Sequence, residues 1–467
     1  MGISTALKKA FGGRQEVDMT EGSIFRHLLE FAFPLLIGNI FQQLYNMVDT
    51  WVVGNYVSNE AFSAVGTVGP IINTLIGFFM GLSSGAGVVI SQYFGAKRAD
   101  KVHDTVHTAM MMTLVLAVLF TGVGIVTVPF MLNLIDMPEE VIPEATTYLV
   151  IYFAGVIGLM FYNIGSGILR AVGDSTRPFL FLVVSAVLNT CLDLLFVLKF
   201  HMGVAGVAYA TIFAQAVSAV LVIITLMRSK ASIRFRIRDM RIDWEMLGKI
   251  VKVGFPAALQ MAITAFSNVF VQSYINYFET DFMSGWTAYN KMDQLIWLPM
   301  QSLALAATTF VGQNLGTGKV ERAKKGVRKA FFMALVCTAG LIVGVVIFAP
   351  TLVSFFNKKP EVVEYGTMLL RYLSPFYILC CLNQIYAGAL RGAGQSRAPM
   401  LIMIGSFVVF RQCYLYIMSH YIANEMLPIA MSYPAGWLVC SAAMLLYYHN
   451  SKWEKACVVE TEQAAEE

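Results

Sequence analysis

Charge is scarce in this chain of 467 residues: 13% of positions are Asp, Glu, Lys or Arg, while 57% are hydrophobic. A water-facing surface draws on about one-quarter charged residues, so a soluble globular fold is excluded. A mean hydropathy of +0.65 also removes disordered, collagen-like and disulfide-framework classes. Paired cysteines are missing too. The seven cysteines are odd in number, and six of them (Cys191, Cys337, Cys380, Cys381, Cys413 and Cys440) fall in apolar stretches. No CxxC or Cys/His metal spacing is evident, so they read as small hydrophobes. Where the apolar core of a signal peptide would sit stand Lys8, Lys9, Arg14, Glu16, Asp18 and Glu21. A net charge of +4 is too small to indicate nucleic-acid binding. No nucleophile–base or metal constellation stands out, which argues against an enzyme.

What remains is apolar length. A helix needs about 20 apolar residues to cross the hydrocarbon core, and twelve such stretches occur. They run near 31–53, 62–92, 105–132, 146–169, 178–198, 203–227, 250–276, 286–312, 329–355, 366–390, 399–421 and 427–449. If both termini are cytoplasmic, 27 of the 33 basic residues fall in inner segments. The densest run is Arg228, Lys230, Arg234, Arg236, Arg238, Arg241, Lys249 and Lys252. Outer loops carry acids instead: Asp136, Glu139, Glu140 and Glu144. The positive-inside rule therefore predicts both termini inside, with Lys358 and Lys359 the main dissent. The basic runs are topology-setting charge near anionic headgroups rather than a nucleic-acid surface.

The chain is also written twice. Gly167-Ile-Leu-Arg-Ala-Val-Gly-Asp-Ser-Thr-Arg-Pro178 recurs, shifted by 221, as Gly388-Ala-Leu-Arg-Gly-Ala-Gly-Gln-Ser-Arg-Ala-Pro399. Gln92/Gly95 recur as Gln313/Gly316 and Pro129 as Pro350 at that shift, and Phe33-Pro34 as Phe255-Pro256 one residue further on. Six spans per repeat is an even number, so the halves run parallel about an axis along the membrane normal. Such duplication is a transporter architecture, with substrate sites at the repeat interface near the midplane. The segments divide as follows: 1–30 N-terminal, 31–227 first lobe, 228–249 cytoplasmic linker, 250–449 second lobe, and 450–467 tail. The GxLRxxG segments read as helix C-termini, with Arg170 and Arg391 at the carbonyl end and glycines ending the helix.

Ionisable groups within spans are costly, about 2.5–3.5 kcal/mol for an Asp at mid-membrane, so each is a functional candidate. Asp49 lies toward the outer half of the first span. Asp193 lies in the fifth, with Asn189 on the same helix face, and Thr211 and Gln215 share a face of the sixth. Two carboxylates among neutral oxygen donors suit one monovalent cation or proton. Lys291 and Asp293 stand near the outer start of the eighth span, as a local ion pair or as substrate contacts. Arg411, inside the eleventh, needs a partner or a wet cavity. The positions matching Asp49 and Asp193 in the second repeat are Val271 and Tyr414. The 26 methionines and many aromatics suit ordinary membrane packing, or an adaptable pocket.

These residues resemble the multidrug and toxic compound extrusion (MATE) family of secondary transporters over about residues 20–450. The resemblance rests on Pro34, Gln42, Asp49-x-x-x-x-Gly54, the Gln92/Gly95 loop, Leu169-Arg-Ala-Val-Gly-Asp-Ser175, Asn189-x-x-x-Asp193 and the mirrored second-half motifs. It implies an all-α polytopic membrane protein, its twelve helices in two parallel six-helix repeats forming a V-shaped two-lobe transporter. It also implies export of organic cations, drugs and other amphiphiles in exchange for H+ or Na+, with no other cofactor. The pattern is similar to the DinF-like branch, which carries the cation site onto Asp49, Asn189, Asp193 and Thr211. Pro34 matches a proline at which the first helix bends, and Gln42, Asn163 and Met202 are looser candidates for lining the cleft. The NorM-like branch places acids in helices seven and ten, where 250–276 and 372–390 hold none. A monomeric, multi-pass plasma-membrane protein in contact with lipid and not with nucleic acid is expected. A lipid-linked precursor flippase of the same superfamily would have fourteen spans and a strongly cationic cavity. A major-facilitator carrier would show a different basic loop after span two.

Overall fold

The computed structural model describes residues 16–134, 137–230, 232–457 and 459. Lys8, Lys9, Arg14 and Asp136, used above for orientation, lie outside the described residues. Every regular element among the described residues is helical. In lipid no water satisfies exposed backbone groups, and a helix pairs them internally.

The first half opens with α1 (Ile24–Tyr56), α2 (Asn59–Gly95) and α3 (Ala99–Leu134). α4 (Ile142–Ala154) and α5 (Val156–Ala171) form one span bent by 48° at Gly155. α6 (Thr176–Leu194) and α7 (Gly203–Arg228) complete it. The second half repeats the plan with α8 (Trp244–Ile275), α9 (Thr280–Gly316) and α10 (Val320–Phe356). Then come α11 (Pro360–Leu373) and α12 (Tyr377–Gly392), joined by a 3-10 turn. α13 (Arg397–Ile404) and α14 (Arg411–Ile417) are joined through a π-helical turn, and α15 (Met426–Ala430) and α16 (Ser432–Asn450) end the bundle. Among the described residues, eleven helices are long and apolar enough to cross a membrane, and twelve when the bent pair counts as a span. That matches the count from hydropathy.

The chain divides into two compact units, Met1–Asp18 with Phe33–Phe255, and Met19–Ala32 with Pro256–Glu467. The crossings fall inside α1 and α8, beside Pro34 and at Pro256, where a missing backbone N–H removes a helical hydrogen bond. Each unit has its own core. Val52, Val53, Phe79, Leu132, Tyr152 and Phe153 pack in the first, and Val271, Phe282, Trp286, Val353 and Leu369 in the second.

The repeat is visible at atomic scale. In the first unit a Cβ on Gly167 would stand 2.3 Å from Ser83 Oγ; in the second, one on Gly388 would stand 2.6 Å from Ala304 O. Ser83 and Ala304 are themselves 221 apart. Both glycines therefore let two helices touch backbone to backbone, as small residues do in membrane bundles. Gly173 (φ +87°) and Gly394 (φ +91°) end their helices left-handed. Asp174 N–H donates to Leu169 O, and Gln395 N–H to Leu390 O, closing the same turn twice. The GxLRxxG segments are packing and capping devices, as their sequence suggests. Asp174 Oδ1 then accepts from the Thr176 and Arg177 N–H groups at the start of α6.

α2 in the first unit packs on α3, α4 and α5, and α9 in the second packs on α10, α11 and α12.

Candidate functional site

The first unit gathers polar groups that its own chain leaves unsatisfied. Asp193 on α6 is fully buried, and neither of its carboxylate oxygens has a hydrogen-bond partner. Asn189, one turn earlier, is 2% exposed, and both its amide atoms are equally unpaired. Asp49 on α1 is half-buried, with Oδ1 buried and without a partner. The two carboxyl groups face each other closely enough to interact directly. A pair of like charges 4 Å apart repels by about 4 kcal/mol at an effective dielectric of 20. A buried polar atom left unbonded costs on the order of 1–3 kcal/mol. Several at one place mark a site arranged for something other than the protein itself.

Three tyrosines close the surroundings. Tyr148 and Tyr152, one turn apart on α4, stack at 6.3 Å between ring centroids. Tyr148 lies within electrostatic reach of both aspartates, as Tyr45 does of Asp49. Gln215 stands beside the Tyr152 hydroxyl, and its Oε1 is otherwise unpartnered. The sequence reading missed these tyrosines, although the i, i+4 spacing of Tyr148 and Tyr152 on an otherwise apolar span was a usable signal.

The remaining first-half candidates are less central. Thr211 is 8% exposed, and its hydroxyl is spent on Val207 O at 3.0 Å within α7. Asn163 Nδ2 donates to Leu159 O at 2.8 Å, and its own carbonyl accepts from Ser83 Oγ at 2.7 Å. Gln42 is half-buried next to the Tyr45 hydroxyl, and Met202 is exposed in the turn before α7. Pro34 lies within α1.

In the second unit the matching positions have become structural. Val271 is buried in the apolar core, and the Tyr414 hydroxyl donates to Pro428 O at 3.2 Å. Asp293 on α9 does not pair with Lys291, which is exposed. It accepts instead from Trp297 Nε1 at 3.1 Å and from the Tyr377 hydroxyl of α12, which in turn meets Tyr289 OH at 2.9 Å. A bonded carboxylate thus sits among buried aromatics, and only Lys291 and Asp293 themselves signalled it in sequence. Arg411 is 3% exposed and finds neutral partners: Ser267 Oγ at 3.1 Å, Asn268 Oδ1 at 2.8 Å, and the face of Tyr433 at 4.8 Å. Its Nε stays unbonded. A groove of about 830 Å³ lined by Lys358, Glu364, Arg371 and Tyr372 shares no residue with either carboxylate cluster.

Comparison with known proteins agrees with the fold. A MatE family profile matches residues 34–195 and again 256–417, finding the duplication independently at a shift of 222. The probable multidrug resistance protein YpnP of Bacillus subtilis (strain 168) is 29% identical, over 94% of this chain and 97% of its own length. A protein of Shewanella oneidensis named FAD transporter is 23% identical, over 83% of this chain and 86% of its own. The solved outward-facing conformation of a multidrug resistance MATE family transporter of the MOP superfamily superposes with a TM-score of 0.88 at 23% identity. It covers 93% of this chain and 97% of that one. With the family profile matched across both repeats, the chain belongs to the MatE family of membrane transporters and is not an enzyme.

Proposed function

We propose that this transporter exports cationic and amphiphilic small molecules across the plasma membrane by antiport, with Asp49 and Asp193 as the site of the driving ion. The observation that carries the reading is the pair of facing carboxylates, with Asn189 beside them, whose buried oxygens have no partner beyond each other. One H+ or Na+ between them removes their mutual repulsion. α1, which carries Asp49, contains Pro34, whose missing N–H removes one helical hydrogen bond, so it is the element able to bend in response. Binding the ion from outside neutralises the pair, α1 rearranges, and the substrate is released outside. Return to the inward state discharges the ion into the cytoplasm. Coupling requires ion and substrate to prefer different states. Named multidrug resistance relatives support the substrate class, and the basic inner segments support cytoplasmic termini. The chain acts as a monomer in contact with lipid.

The test is uptake of a panel of cationic dyes into everted vesicles, whose cytoplasmic face is outward, under an imposed pH gradient and, separately, a Na+ gradient. Wild type exports in response to one of them, and Asp49→Asn and Asp193→Asn export in response to neither. Unchanged efflux in both variants removes the site. A second reading, transport of anionic nucleotide-like molecules, draws on Arg411, whose charge meets neutral partners only. Export of a dinucleotide rather than of cations, lost in Arg411→Gln, would favour it.

A further inference from the structure

The linker between the sixth and seventh spans does not hang free. Asp243 N–H donates to Thr108 Oγ1 at 3.1 Å, Arg241 pairs with Asp104 at 2.8 Å, and Phe235 packs on the His107 ring at 5.4 Å. At the centre of this contact three potential metal ligands converge. His103 and His107 stand four residues apart on α3, their rings 4.0 Å apart between centroids, and Asp239 comes from the 3-10 turn Ile237–Asp239 of the linker. One ligand atom from each lies within 4.8 Å of the other two.

We propose that His103, His107 and Asp239 form a binding site for a divalent transition metal of the zinc class, which staples the linker onto α3. Four features carry this. Two histidines at i, i+4 on one helix face present both rings to a single ion, a spacing zinc sites use. Tetrahedral zinc with ligands at about 2.0–2.1 Å sets them about 3.3 Å apart, and His103 Nε2 already stands 3.5 Å from Asp239 Oδ2. His103 and Asp239 are half-exposed, so rotation of their side chains closes the remaining distances. The outer partners are also in place. His107 Nδ1 bonds its own helix at His103 O, 2.8 Å away, which assigns the proton to Nδ1 and turns Nε2 toward the linker. Asp104 lies 3.9 Å from His103 Nδ1, beyond hydrogen-bond range, and a small side-chain rotation would bring it into the carboxylate–histidine arrangement that orients metal ligands.

The ion displaces one hydrogen bond. His107 Nε2 accepts from Arg236 N–H at 3.0 Å, and Arg236 is exposed, so water takes over that N–H. Nitrogen, nitrogen and carboxylate oxygen favour zinc, cobalt or nickel over calcium or magnesium. Three protein ligands beside Arg236, Arg238 and Arg241 make the site exchangeable rather than a permanent structural centre. Occupied, it fixes the segment joining the two halves of the chain; empty, it leaves that segment to the Arg241–Asp104 and Lys101–Glu245 ion pairs and a few hydrogen bonds.

The experiment uses the untagged full-length protein in detergent, stripped with chelator and titrated with Zn2+ by calorimetry and with Co2+ by visible absorption. One ion per chain is expected, with the intense d–d bands of tetrahedral cobalt, and with Zn2+ slowing hydrogen exchange over residues 232–243. His103→Ala, and independently Asp239→Asn in the exposed turn, should weaken binding by at least about tenfold and abolish the exchange effect. His420→Ala should change neither. Binding as tight as wild type in both ligand variants, no saturable binding in wild type, or binding that fails only in His420→Ala would each overturn the proposal.

Discussion

Replacing Asp193 by asparagine separates a functional carboxylate from a structural one. Asparagine keeps the side chain's shape and removes its charge. Asp193 faces only the Asp49 carboxyl, so the substitution breaks no bond to any other group. The residue is also fully buried, and insertion scales place an Asp at mid-membrane at about 2.5–3.5 kcal/mol. Removing that charge, and its repulsion with Asp49, should stabilise the first unit by about 1–2 kcal/mol. A body of 150–250 residues shifts its Tm by about 2–4 °C per kcal/mol, so thermal unfolding of the purified variant should rise by about 2–8 °C. Breaking a bonded buried pair would act in the opposite sense, costing about 3–5 kcal/mol, a fall of about 6–20 °C on the same scale. Function should move against stability. With one carboxylate left, the repulsion that a bound cation relieves is gone, about 4 kcal/mol for charges 4 Å apart. That is about three orders of magnitude in ion affinity. The assay pairs fluorescence-detected unfolding with dye efflux from the same preparation. A lower Tm with proportionate loss of efflux, or normal efflux at a higher Tm, would refute the reasoning.

In the second unit, Asp293→Leu and Tyr377→Phe each remove the bond between α9 and α12 and should cost about 1–3 kcal/mol of stability, read as a lower Tm; an unchanged Tm in both would show the contact to be idle. Gly388→Val, whose Cβ would press on the Ala304 carbonyl, should abolish folded protein on size-exclusion chromatography. Gly344→Ala, with nothing within 4 Å, should leave the elution profile unchanged. Lys97 holds φ +59° where its repeat counterpart Gly318 holds +71°, so Lys97→Gly should be neutral or stabilise by up to about 1 kcal/mol and Gly318→Ala destabilise by about 1, read as opposite Tm shifts. Single cysteines at Glu139 and Arg236, in a background without native cysteines, should react with an impermeant reagent from outside and inside respectively; the reverse pattern would invert the topology.

Much of the architecture was legible because lipid imposes simple rules. Span number follows from apolar length, and the duplication from motifs 221 residues apart. The glycines at 167 and 388 were legible as helix ends, but their second role as contact points with Ser83 and Ala304 needed coordinates. Asp49 and Asp193 stood out because charge in a span is costly wherever it points. What surrounds them did not stand out, since tyrosine is common in membrane helices and nothing in one dimension tells a packed Tyr148 from one beside two carboxylates. Asp293 shows the converse. Its neighbour Lys291 suggests an ion pair, yet side chains two apart on a helix point in different directions, and only the fold brings Tyr377 to it. The histidines of α3 went unread because their third ligand, Asp239, lies more than 130 residues away.

By itself, then, the sequence determined that the chain lives in lipid, how many times it crosses, that it is built from two copies of one plan, and which charges lie in its spans. Burial costs and helix geometry act locally, so these conclusions need no third dimension. Only the tertiary structure decided which charges are satisfied. Arg411 finds Asn268, Asp293 finds Tyr377, and the buried oxygens of Asp49 and Asp193 find only each other. Hydrogen bonding between helices depends on approach within about 3 Å, a distance that packing sets and sequence spacing does not.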